Sequence, residues 1–130
     1  MSYMDLALTV GKKARGISNP NPPVGAVLVK NEQVISEGFT GRPGSPHAEV
    51  MAITSAADAA KGSVLYVTLE PCCHFGRTPP CTEAIIESGV SKVYIAIKDP
   101  DSRVSGKGID RLQKAGIEVV LGVGKKEAEV

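Results

Sequence analysis

The chain has 130 residues, 42% of them apolar, and a formal net charge of +1, which suits one domain over 1–130 with an ordinary core. Near-neutral charge, no Trp, three Tyr and two Phe exclude the basic, aromatic-lined groove of a nucleic-acid binder. Three cysteines, two of them adjacent, make no disulfide framework and fit a reducing compartment.

Tyr3, Leu6, Ala7, Val10 and Ala14 recur at helical spacing, so residues 3–15 are predicted to form a helix that stops at Gly16. Lys12, Lys13 and Arg15 follow the apolar run instead of preceding it, and the run is too short to span a bilayer. A cytoplasmic protein with no membrane partner is therefore expected. The proline-rich segment 17–23 is a loop. Residues 24–29 and 33–39 flank a turn at Asn31-Glu32 and predict a β-hairpin. After the loop 41–46, a helix is expected from His47 to Ala60, with Ser45 as N-cap and Pro46 as first helical residue.

Residues 63–69 and 91–97 read as buried strands. Between them lie a cysteine-rich stretch and a helix from about Pro80 to Ser88, capped and started by Thr78 and Pro79 and ended by Gly89. A loop over 98–108, a short helix over 109–115 and a strand over 117–121 complete the pattern, and residues 124–130 form a charged tail. A hairpin followed by strand–helix–strand–helix–strand predicts an α/β fold, three-layer α/β/α, around a mixed five-stranded sheet.

The chemistry concentrates in Leu69–Cys81, which holds Cys72, Cys73, Cys81 and His74. The other histidine, His47, begins His47-Ala-Glu49. One His and two Cys give zinc three protein ligands and leave a fourth position open, the pattern of a catalytic site. H-x-E followed by P-C and a further Cys is the signature of zinc deaminases of bases and nucleosides. The P-C falls at Pro71-Cys72, so Cys72 and Cys81 are the expected thiolates. Cys73, one peptide from Cys72, points elsewhere. His47 and Glu49 can share a site only at the start of a helix, because residues two apart in a helix interior face roughly opposite sides. Glu70 is read as fixing loop backbone and not as performing chemistry. His74 suits a turn or a substrate contact. Arg77, the sole cation of the stretch, suits a phosphate contact and a solvated surface equally. Asn19 and Asn21 suit turn formation and base recognition equally.

Five motifs extend over nearly the whole chain: Pro20-Asn-Pro-Pro-Val-Gly25, His47-Ala-Glu49, Tyr66-Val-Thr-Leu-Glu-Pro-Cys72, His74-Phe-Gly-Arg-Thr-Pro-Pro-Cys81, and Asp99-Pro100 with Gly106-Lys-Gly108. On these the chain resembles the deaminase domain of the bifunctional riboflavin-biosynthesis diaminohydroxyphosphoribosylaminopyrimidine deaminases, a branch of the cytidine-deaminase superfamily. Cytidine and tRNA-adenosine deaminases carry C-x-x-C where this chain has a longer insert with a His and an Arg.

The resemblance implies hydrolytic removal of the 2-amino group from 2,5-diamino-6-(5-phosphoribosylamino)pyrimidin-4-one, a phosphoribosylaminopyrimidine. It implies zinc held by His47, Cys72 and Cys81, and Glu49 as proton shuttle. It places Asn21, Thr40, His74, Arg77 and Asp99 at positions that contact substrate. Lys107, in the glycine-rich loop after Asp99, is a candidate second cation for the phosphate. It also implies a homo-oligomer, and a reductase on a separate chain or a missing domain. Three departures bear on substrate contacts: Thr40 where many members have His, Cys73 for Ser or Thr, and Asp101-Ser102 for Asn-Pro. A deaminase of another base or nucleoside is the first rival reading. A non-catalytic zinc-stabilised domain is the second, and Glu49 argues against it, since a structural site needs no proton shuttle.

Overall fold

The computed structural model describes residues 2–16, 23–42, 45–72, 80–99 and 105–122. Helix α1, Tyr3–Gly11, opens on a reciprocal capping box: Ser2 Oγ accepts from the Asp5 N–H, and Asp5 Oδ2 accepts from the Ser2 N–H. The helical run predicted to residue 15 tightens into a 3-10 turn at Lys12–Ala14. Strands β1 (Gly25–Lys30) and β2 (Gln33–Phe39) form the expected hairpin. Asn31 and Glu32 both take positive φ, 52° and 62°, the pattern of the two-residue turn whose twist matches the flanking strands.

Helix α2, Ala48–Ala56, passes into a 3-10 turn at Ala57–Ala60, and β3 spans Val64–Leu69. Helix α3, Cys81–Ser88, ends at Gly89 as predicted. Strand β4 (Lys92–Ile97), helix α4 (Lys107–Lys114) and strand β5 (Glu118–Leu121) follow. Helix α4 begins two residues before its predicted start.

The five strands run in the order β2-β1-β3-β4-β5. Strand β1 is antiparallel to both neighbours, whereas β3, β4 and β5 are parallel, so the sheet is mixed as expected. Ala26 and Leu28 of β1 join Ala48 and Ala52 of α2, Ile85 of α3 and Leu112 of α4 on one face. Val27 and Val29 join Met4, Ala7 and Val10 of α1 on the other. Strand β1 is thus buried on both faces, which is why its sequence is continuously apolar, and the three α/β/α layers follow. Among the described residues no helix is long and apolar enough to cross a membrane.

One close contact seats the first turn of α2. A Cβ at Gly38 of β2 would run into the Ala48 carbonyl oxygen and the Ala52 nitrogen. The missing side chain lets the first turn of α2 lie directly on the strand. Gly38→Ala must therefore push α2 outward, and we expect a loss of ~1–3 kcal/mol in a denaturant unfolding measurement.

Candidate metal centre

Helix α2 begins at Ala48, not Pro46, because His47 itself is the N-cap, with extended φ −67° and ψ 163°. The expected cap at Ser45 is thereby corrected. His47 makes no side-chain capping bond, so its ring is free to turn toward the end of β3. Helix α3 begins with Cys81 as its first residue and Pro80 as its cap; Thr78 and Pro79, predicted to cap and start it, fall outside the described residues. Cys72 follows β3 by three residues, and its carbonyl accepts from the Thr82 N–H at 3.1 Å. Its sulfur accepts from the Cys81 N–H at 3.2 Å. A helix N-terminus, with its unpaired N–H groups, thus faces a thiolate.

These three segments bring His47, Cys72 and Cys81 together, their donor atoms all within 4.8 Å of one another. His47 Nδ1 lies 3.7 Å from Cys72 Sγ and 2.8 Å from Cys81 Sγ. Two ligands of a tetrahedral zinc, at about 2.0–2.1 Å for nitrogen and 2.3 Å for sulfur, sit about 3.5 Å apart. The Cys72 separation matches that, and the Cys81 separation is that of a hydrogen bond. One imidazole and two thiols, converging at a helix terminus, fit zinc.

The two thiols are driven in opposite directions by the hydrogen bond between them. The hydrogen bond from Cys81 holds the Cys72 thiol down at about 4, and the same bond pushes the Cys81 thiol up. His47 is raised because it pairs with the Cys72 thiolate. Its ring lies closer to Cys81, but Cys72 carries the charge, and charge decides the direction. A bound dication reverses this logic for Cys81, since a coordinating thiol is deprotonated outright.

Glu49, in the first turn of α2, is only 4% exposed. Burial pushes its carboxyl up to about 7, the Cys72 charge adds to the rise, and a hydrogen bond with the Cys81 side chain lowers it. His47 and Glu49 do share one site, and the cap position makes that possible.

Among the expected substrate contacts, Thr40 is 7% exposed. Its hydroxyl accepts from the Val24 N–H at 3.0 Å and donates to the Val24 carbonyl at 3.4 Å, so it fastens the start of β1. Asp99 is half-buried just past β4 and donates its backbone N–H to Glu70 Oε1 at 3.1 Å. Lys107 stands exposed at the first position of α4. Asn21, His74, Arg77 and Cys73 lie outside the described residues. Glu70 does fix loop backbone, as read from the sequence; its partners are distant amides with no side-chain signature.

The family model described as the cytidine and deoxycytidylate deaminase zinc-binding region matches residues 1–97. The riboflavin biosynthesis protein RibD of Aquifex aeolicus is 55% identical over 127 residues, covering 98% of this chain and 36% of that protein. A structure of Acinetobacter baumannii RibD superposes with a TM-score of 0.95 at 48% identity, over 97% of this chain and 36% of that one. A Thermotoga maritima diaminohydroxyphosphoribosylaminopyrimidine deaminase/5-amino-6-(5-phosphoribosylamino)uracil reductase gives a TM-score of 0.91 at 50% identity, over 98% of this chain and 37% of that one. The chain spans about a third of the length of these relatives.

Metal analysis of the purified protein is expected to find a single zinc. Cys72→Ser and Cys81→Ser should each lose it, whereas Cys73→Ser should keep it in full. Zinc loss from Cys73→Ser would reassign the ligands.

Proposed function

The chain belongs to the family of the cytidine and deoxycytidylate deaminase zinc-binding region, and from that premise we propose that it hydrolytically deaminates 2,5-diamino-6-(5-phosphoribosylamino)pyrimidin-4-one. The product is 5-amino-6-(5-phosphoribosylamino)uracil. One observation carries the reaction class: a buried glutamate, Glu49, stands beside a converging His/Cys/Cys trio. The choice of substrate is supported by the Thermotoga relative, whose name carries this deaminase activity and whose likeness runs over 98% of this chain.

His47, Cys72 and Cys81 would hold the zinc. When bound, zinc supplies Lewis-acid chemistry that makes a water acidic enough to act as nucleophile near neutral pH. Glu49 then moves protons. Its carboxylate accepts one from the water and delivers it to the ring nitrogen beside the target carbon. It next relays a proton to the leaving amine, so that a C–O bond forms, the C–N bond breaks and ammonia departs. Burial raises the proton affinity of Glu49, so the carboxylate can take up a proton as well as give one. No redox cofactor takes part. The Thermotoga name joins the deaminase to a reductase of the deaminated product, and we assign the next step here to such a reductase, on the same or a separate chain.

The deciding experiment is ammonia release from the phosphoribosylated diaminopyrimidine, run beside cytidine and deoxycytidylate. Turnover of cytidine or deoxycytidylate alone would sink the substrate assignment. Glu49→Gln should fold and keep its zinc while losing ~10²–10⁴-fold or more in kcat; near-normal turnover would eliminate the proton-shuttle role. Arg77→Ala should raise KM for the phosphorylated substrate with little change in kcat, as lost uniform binding does. Equal losses on the dephosphorylated analogue would show that Arg77 does not bind the phosphate.

A further inference from the structure

Glu70 is the residue after β3 and lies two positions before Cys72, with its own N–H donated to the Ile97 carbonyl at 2.9 Å. It is 4% exposed, and its side chain is filled by four backbone donors. Oε1 accepts from the N–H groups of Asp99 at 3.1 Å and Gly106 at 2.9 Å. Oε2 accepts from those of Gly108 at 2.9 Å and Ile109 at 3.2 Å. The two oxygens do different work. Oε1 draws together Asp99 and Gly106, the two ends of the connection from β4 to α4. Oε2 caps α4, whose own cap position is Gly106 and offers no side chain.

Close packing reinforces the link. A Cβ at Gly108 would run into the Pro71 carbonyl oxygen, so the start of α4 lies directly on the segment between Glu70 and Cys72. All of this sits past the C-terminal ends of the parallel strands β3 and β4, the end of an open α/β sheet where ligands bind. The metal trio occupies that same end, through Cys72. A single carboxylate therefore ties the trio's β3 segment to the chain leaving β4.

We propose that Glu70 is a positioning residue for substrate binding: it holds Asp99, Gly106 and the start of α4 in fixed register beside the metal trio, and substrate affinity depends on that register. The proposal rests on the deaminase reading above and deepens it. Glu70 touches no reacting atom, so its influence falls on binding geometry and not on proton transfer.

Glu70→Gln is nearly isosteric but puts an amide donor against one pair of N–H groups. Its KM should rise about tenfold, with kcat within about threefold of the wild type and zinc content unchanged. Gly106→Ala strains the same junction from the other side, since Gly106 has φ 85° and nothing lies near its Cβ position. The same rise in KM is expected, and this variant decides the matter if Glu70→Gln does not fold. Arg111→Ala serves as control. It removes the two hydrogen bonds from Arg111 to Glu83, 3.1 and 2.8 Å, that join α4 to α3, and should leave KM unchanged. A lowered Tm with unchanged KM in Glu70→Gln and Gly106→Ala would make Glu70 merely structural. Zinc loss would assign it to Cys72 instead, and either result overturns the proposal. A wild type that deaminates only a different aminopyrimidine would sink the substrate reading alone, because the KM comparison can be made on whichever substrate turns over.

Discussion

Two helices begin beside the end of one strand, and the trio of donors depends on that meeting. His47 caps α2, Cys81 opens α3, and Cys72 lies just past β3. Helix N-termini carry unpaired N–H groups and partial positive charge, so both helices favour anionic sulfur where they converge. The Cys81 N–H on Cys72 Sγ is the direct expression of that preference. The fold's part in the chemistry is thus to fix helix starts, and close backbone contacts do that: Gly38 admits the first turn of α2 against β2, and Gly108 admits the start of α4 against Pro71.

The sequence made the trio legible because each donor sits in a short motif whose spacing matches zinc-binding chemistry. The hairpin was legible for a similar local reason, since two apolar runs flank a two-residue turn. The start of α2 was not. Ser45 and Pro46 form a good cap-and-first-residue pair by propensity, yet the chain stays extended through His47, which leaves the ring free for the trio. Sheet order was also beyond local reading. Strand β1 pairs with β3 across the whole of α2, and only the packing of both its faces explains that placement.

Thr40 shows a different kind of opacity. Resemblance points to a substrate contact at that position, where many members carry His. Here the shorter hydroxyl turns inward and exchanges two hydrogen bonds with the Val24 backbone. A threonine can satisfy itself this way within its own strand pair, whereas an imidazole is too large and too differently shaped to repeat the same pair of bonds. Here Thr40 therefore fastens the start of β1.

Two glutamates, each 4% exposed, flank the trio and receive opposite treatment. Glu70 meets four backbone N–H groups, about as many as a carboxylate has acceptor sites, and its side chain is held in one place. At Glu49 burial outweighs the hydrogen bonds from its own backbone and the Cys81 side chain, and its carboxyl is pushed up to about 7. Burying a carboxylate is costly unless donors surround it, and the four N–H groups on Glu70 offset that cost. The sequence already set the two apart, Glu70 as a backbone anchor and Glu49 within the motif that begins at His47, and the four N–H groups on Glu70 bear out the first reading.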